Sequence, residues 1–86
     1  MSHRILLVED EISLSALFHR WLTAQNYQVD MAHTAENAIA RLQAGQRWDL
    51  ALVDVTLPGR SGLELARLLQ QTPQIPVALM TAHRSP

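Results

Sequence analysis

An open α/β domain built on a parallel sheet follows from three observations. Four short apolar runs, near residues 4–8, 27–32, 48–53 and 75–80, are separated by three stretches with apolar residues at three- and four-residue spacing. The connections between them are short, and strand–helix alternation of this kind requires right-handed crossovers with helices on both faces of the sheet. The first and third runs are apolar throughout rather than alternating, as strands covered on both faces are.

The first strand is Arg4 to Val8, ending in the acidic cluster Glu9, Asp10 and Glu11. Asp10 or a neighbour is placed to cap the next helix, whose positive end favours carboxylates. That helix reaches about Asn26, and Leu14, Leu17, Phe18 and Trp21 form its apolar stripe. Trp21 is therefore expected in the core or half-buried. Tyr27 to Ala32 alternates, with Tyr27, Val29 and Met31 on one face. Thr34 precedes a second helix carrying Ala35, Ala38, Ile39 and Leu42, and Gly45 supplies a left-handed stop. Trp48 to Val53 is the third strand, with Trp48 covering its start. After Asp54 and the breakers Pro58, Gly59 and Gly62, a third helix presents Gly62, Leu65, Ala66 and Leu69 on one side. Thr72-Pro73 ends it, because the residue before proline avoids helical angles. Ile75 to Met80 is the fourth strand. As the last strand it is expected at a sheet edge, with unpaired backbone groups and an apolar flank.

Composition bounds the function. The 86 residues, 1–86, are expected to be one domain or a piece of one, and 48% hydrophobic content suits a folded core. Seven basic against eight acidic residues, net −1, give no electrostatic basis for direct nucleic-acid binding or for an anionic membrane. All seven basic residues are Arg. Without Cys, disulfides and thiolate metal sites are excluded. The apolar stretch at the start is too short for a signal peptide or a membrane span, so a cytoplasmic location is expected. Arg41, Arg47, Arg60, Arg67 and Arg84 read as solvated surface, and the four His (3, 19, 33, 83) as too scattered for a metal site.

The chemistry lies at the strand ends. In a parallel sheet all carboxyl ends share one edge, where open α/β sheets keep their sites. Glu9 and Asp10 end the first strand, Asp54 the third and Thr81 the fourth. With strands one and three as neighbours, three carboxylates converge, and two of them about 4 Å apart repel by about 4 kcal/mol at an effective dielectric near 20. Such a cluster calls for a cation, and oxygen-only donors favour Mg²⁺ or Mn²⁺. A carboxylate beside that ion can attack phosphorus and become an aspartyl-phosphate, toward which the Thr81 hydroxyl can donate. Taken singly, the acidic residues also read as helix caps, Asp54 as a turn former before Pro58, and Thr81 as a strand-end residue bonded to its own backbone. Their conjunction at three strand ends favours the site.

ILLVEDE at the first strand, LALVDVTLPGRSGLEL around the third and IPVALMTAH at the fourth together resemble the N-terminal part of a two-component response-regulator receiver domain of the chemotaxis-regulator type. The resemblance implies a flavodoxin-like sheet of strand order 2-1-3-4. It implies Asp54 as phosphoacceptor, Asp10 as a direct Mg²⁺ ligand, Glu9 as a partner acid acting through water, and the Thr56 main-chain carbonyl as a further metal contact. Thr81 matches the switch hydroxyl, while Pro58 and Gly62 match the loop after the acceptor. The implied phosphodonor is a phosphohistidine on a sensor histidine kinase or a phosphotransfer protein. The domain catalyses at most its own modification, in transcription-regulating phosphorelays. Two departures are visible: Ser61 stands where the family commonly has Asp, and the sequence stops before the fourth helix, the fifth strand with its Lys, and the fifth helix. The expectation is a truncated receiver with impaired phosphorylation. As an alternative, it is an inactive fragment that dimerises or oligomerises through its exposed fourth strand. A haloacid-dehalogenase-type phosphatase would want a second Asp where Thr56 stands.

Overall fold

The computed structural model describes residues 3–55, 57, 62–72 and 75–80. The elements run β1 (Arg4–Val8), α1 (Ile12–Ala24), β2 (Gln28–Ala32), α2 (Ala35–Gln43), β3 (Leu50–Asp54), α3 (Gly62–Gln71) and β4 (Val77–Met80). The strands form one parallel sheet of order β2-β1-β3-β4, the flavodoxin-like arrangement that the resemblance implies. Val8 pairs with Ala32 on one side and Val53 on the other, so β1 ends one residue short of β3, which runs on to Asp54.

Successive strand residues point to opposite faces. Leu6, Val8, Ala51 and Val53 face a core shared with Ala35 and Ala38 of α2 and with Leu65 and Leu69 of α3. All four residues expected on the inner side of α3, Gly62, Leu65, Ala66 and Leu69, are buried. Each fully buried Leu here contributes about 1.5–3 kcal/mol through burial. Ile5 and Leu7 lie on the opposite face, where α1 packs across β1 and β2.

Helix ends follow local chemistry. Thr34 is the N-cap of α2 and its hydroxyl accepts the Asn37 N–H at 3.0 Å. At the other end Gly45 has φ +94°, its N–H bonds to Leu42 O, and the Gln46 N–H reaches Arg41 O, the paired bonds of a left-handed helix stop. α1 ends at Ala24, and Asn26 takes the left-handed turn at φ +69°.

Several expectations are corrected. The inner side of α1 is Ser15 and Leu22, whereas Leu17 and Trp21 are each 61% exposed. Half of the expected stripe of α1 is thus exposed, while Leu14 and Phe18 are half-buried, and Trp21 is a surface residue beside Ile5 and Leu52 of the sheet. The α1 N-cap is Glu11, which makes no side-chain capping bond. Trp48 is buried but lies before β3, and its indole N–H donates to Asp30 Oδ2 at 2.9 Å. β4 starts at Val77 rather than Ile75: Ile75 is a core residue, and Pro76, which has no N–H to give the ladder, only accepts from the Ala51 N–H at 2.9 Å. Arg41 is half-buried rather than solvated, donating to Met31 O at 3.3 Å.

At the amino end of the sheet, Asp30 also accepts from Arg4 Nε at 2.9 Å, and Asp49 Oδ2 accepts the Arg4 N–H at 2.7 Å. Burial raises the Asp30 carboxyl pKa, but its bonds from Arg4 and Trp48 outweigh that and hold it below the ordinary value. Among the described residues, no helix is long and apolar enough to cross a membrane.

Candidate functional site: a carboxylate cluster at the strand ends

Because Val8 and Val53 are paired, the next residue on each strand arrives at the same edge, and these are Glu9 and Asp54. Both are 1% exposed. Asp10 follows Glu9 in a more open position. One carboxylate oxygen from each of Glu9, Asp10 and Asp54 lies within 4.8 Å of the other two. The three-carboxylate convergence expected from the sequence is therefore present.

Three negative groups this close repel by about 3–4 kcal/mol per ionised pair at an effective dielectric near 20. Glu9 has its pKa raised to about 7. Burial is the main cause. The Glu11 N–H, donating to Glu9 Oε2 at 3.1 Å, pulls the other way, while Asp54 and Asp10 raise it further. A divalent cation reverses this balance by giving the cluster a positive centre. All the donors are hard oxygens, so the residues present fit Mg²⁺ or Mn²⁺.

Backbone contacts fix the cluster. The Glu9 N–H donates to Ala32 O at 3.0 Å, and Glu9 O lies 2.9 Å from His33 Nδ1. Behind Asp54, α3 approaches so closely that only glycine fits at its first residue: a Cβ on Gly62 would collide with the Asp54 carbonyl oxygen. The Gly62 N–H in turn reaches Val55 O at 3.3 Å. Thr56 and Thr81, the other two expected site residues, lie outside the described residues, as do Pro58, Ser61 and His83. His33 was not singled out in the sequence. Its position one residue beyond β2, on the same sheet edge, was the available signal.

The fold and the site define an open, doubly wound parallel α/β domain with a cluster of three carboxylates at the carboxyl edge of its sheet. Residues 5–86 match the response regulator receiver domain family. The chain is 35% identical over 80 residues to the transcriptional regulatory protein ResD of Bacillus subtilis, covering 92% of this chain and 32% of ResD. It is 41% identical over 80 residues to the transcriptional regulatory protein TcrA of Mycobacterium tuberculosis, covering 92% of this chain and 31% of that protein. Among solved structures, TrrA of Thermotoga maritima, crystallised with Mg²⁺–BeF, superposes with a TM-score of 0.87 at 32% identity, over 96% of this chain and 71% of TrrA. The N-terminal domain of a response regulator/sensory box/GGDEF three-domain protein of Carboxydothermus hydrogenoformans gives 0.88 at 34% identity, over 96% and 67%. The chain belongs to the response regulator receiver domain family, a class of two-component signalling modules. It spans about a third of the length of the curated relatives it matches.

Proposed function

We propose that Asp54 is a phosphoacceptor served by a divalent cation held between Glu9, Asp10 and Asp54, with the Thr56 main-chain carbonyl as a further ligand. The observation that carries this reading is the approach of three carboxylates, from two adjacent strand ends, to within 4.8 Å. An Asp54 carboxylate oxygen attacks phosphorus of a phosphohistidine on a sensor histidine kinase or phosphotransfer protein. The new O–P bond forms as the P–N bond breaks, and the ring nitrogen leaves with the electron pair, the ring taking up a proton from solvent to become neutral imidazole. The ion, when bound, offsets the negative charge of the phosphoryl oxygens and of the carboxylates themselves. Glu9 and Asp10 position it, and burial of Asp54 keeps bulk water from the acceptor. Thr81 donates its hydroxyl to the phosphoryl group, whose charge of about −1.5 to −2 draws the loop inward. The chain does no other catalysis, and in the whole protein the phosphorylated state regulates transcription, as the names of ResD and TcrA suggest by analogy.

Incubation with Mg²⁺ and acetyl phosphate, followed by intact mass measurement, tests the reading. A gain of one phosphoryl group is expected, abolished in Asp54→Asn. No gain in the wild-type chain, or a gain that survives Asp54→Asn, refutes it.

A second reading concerns association. β4 is an edge of the sheet and its Leu79 is 48% exposed, so an edge-to-edge pair with a second copy would satisfy backbone groups and cover that side chain. Light scattering across a dilution series decides this, since a monomer at every concentration removes it.

A further inference from the structure

We propose that His33 is a positioning residue for the acidic site: its ring donates to the Glu9 carbonyl and fixes the peptide that carries the Glu9 and Asp10 carboxylates. The inference rests on the cation-site reading above and names a residue that reading does not use.

β1 and β2 pair in register from Arg4–Gln28 to Val8–Ala32, and the Glu9 N–H adds a last ladder bond to Ala32 O at 3.0 Å. Beyond that point the β2 chain turns away, because Thr34 is already the N-cap of α2. A parallel ladder would next need a donor from this strand to the Glu9 carbonyl. His33 supplies one from its side chain, with Nδ1 2.9 Å from Glu9 O. A carbonyl only accepts, so Nδ1 carries the proton in this contact.

The two peptide units that flank the Glu9 Cα are thereby both held, one by Ala32 O through the Glu9 N–H and the other by His33 through the Glu9 carbonyl. The Glu9 side chain is pinned as well, its Oε2 accepting from the Glu11 N–H at 3.1 Å. The carbonyl belongs to the same peptide unit as the Asp10 N–H, so rotating it moves Asp10 and Glu9 together. Repulsion within the cluster favours such a rotation when no ion is bound, and the His33 bond opposes it. His33 is half-buried at the site edge, where water competes less for the bond. His33 is not one of the three clustered carboxylates and acts on them through the Glu9 backbone. Partners that orient metal ligands in this way commonly change metal affinity by about 10–100-fold.

Two substitutions separate positioning from bulk structure. His33→Asn keeps an N–H donor near the Nδ1 position, and His33→Ala removes it. Mg²⁺ affinity is measured by calorimetry, with Mn²⁺ electron paramagnetic resonance as a second probe, and thermal melting confirms that each variant is folded. His33→Ala is expected to bind Mg²⁺ about tenfold more weakly, and His33→Asn within about threefold of wild type. Equal affinity in wild type and His33→Ala overturns the assignment, as does an Asn variant as weak as the Ala variant. Absence of Mg²⁺ binding in wild type instead strikes the cation-site reading, and the metal-dependent role of His33 falls with it. A metal-independent check uses ¹⁵N NMR of the neutral wild-type ring. A proton on Nδ1 is expected, and a ring protonated only on Nε2 overturns the proposal.

Discussion

Replacing Gly62 with Ala probes the contact that places α3 against the acceptor strand. An ideal Cβ at this position collides with the Asp54 carbonyl oxygen and lies 2.7 Å from Val55 Cα and 2.8 Å from the Asp54 carbonyl carbon. Every one of these atoms is backbone, so no side chain can swing aside. Either the first turn of α3 lifts off the sheet, loosening the packing behind Asp54, or the end of β3 is displaced and carries Asp54 away from Glu9 and Asp10. Overpacking against yielding side chains costs about 1–3 kcal/mol, and an unyielding backbone belongs at the upper end. Alanine returns at most about 1 kcal/mol of helix propensity, which leaves a net loss of about 2 kcal/mol. For a domain of this size that lowers the melting temperature by about 8–16 °C. Melting curves with and without Mg²⁺ give the result: a lower midpoint, and a smaller rise on adding Mg²⁺ because the ligands are misaligned. Gly45→Ala is the control. It strains a residue at φ +94° with nothing within 4 Å of the new Cβ, far from the site, so it should lower the midpoint and leave the Mg²⁺ increment intact. A Gly62→Ala variant with wild-type midpoint and wild-type Mg²⁺ increment would show that the close approach does not exist.

Three further outcomes are expected. The Glu9 pKa rises on folding from 4.5 to about 7, so its stabilising contribution is complete below pH 4.5 and lost as pH climbs through 7. The metal-free chain should lose at most about 3 kcal/mol over that window by urea titration, with the loss reduced by Mg²⁺ and absent in Glu9→Gln. Asp30 has the opposite sign: its folded pKa is depressed, so its contribution is present above 3.8 and lost as pH falls through the folded value. Asp30→Ala, which leaves the Trp48 indole N–H and Arg4 without their acceptor, should destabilise by about 1–3 kcal/mol at pH 7 with unchanged Mg²⁺ affinity, and a site-wide loss of affinity would contradict the separation of the two ends. Thr34→Ala removes the α2 cap and should cost about 1 kcal/mol in chemical denaturation, whereas a neutral substitution would mean that the Asn37 N–H finds another acceptor.

Where packing and local chemistry agree, the sequence was readable. The whole of β1 is apolar after Arg4, and α3 buries the four residues its spacing named. α1 shows the limit of periodicity. A stripe through Leu14, Leu17, Phe18 and Trp21 says that a helix has an apolar side, but not which of its sides the sheet receives. The small Ser15 allows close approach, with its hydroxyl 3.2 Å from Met31 Sδ, and this contact lies with Leu22 on the sheet side while Leu17 and Trp21 stay exposed. At the site, Glu9, Asp10 and Asp54 were legible because a strand's last residue is set by where its apolar run stops. The bond from His33 to Glu9 was not, because it depends on the precise point at which β2 peels away from β1. Likewise, no motif joins Arg4, Asp30 and Trp48, which meet only through strand register.

That register gives the sheet a polarity along its strands. At the amino end, Asp30 and Asp49 meet donors from Arg4 and Trp48; at the carboxyl end, like charges face one another. The same strands are fastened at one end and electrostatically loaded at the other. Changes at the amino end can therefore retune how firmly the domain holds together without redesigning the edge proposed to accept the phosphoryl group. The proposed ion would relieve the load at the carboxyl end, and the domain holding it would then be tighter than the empty one.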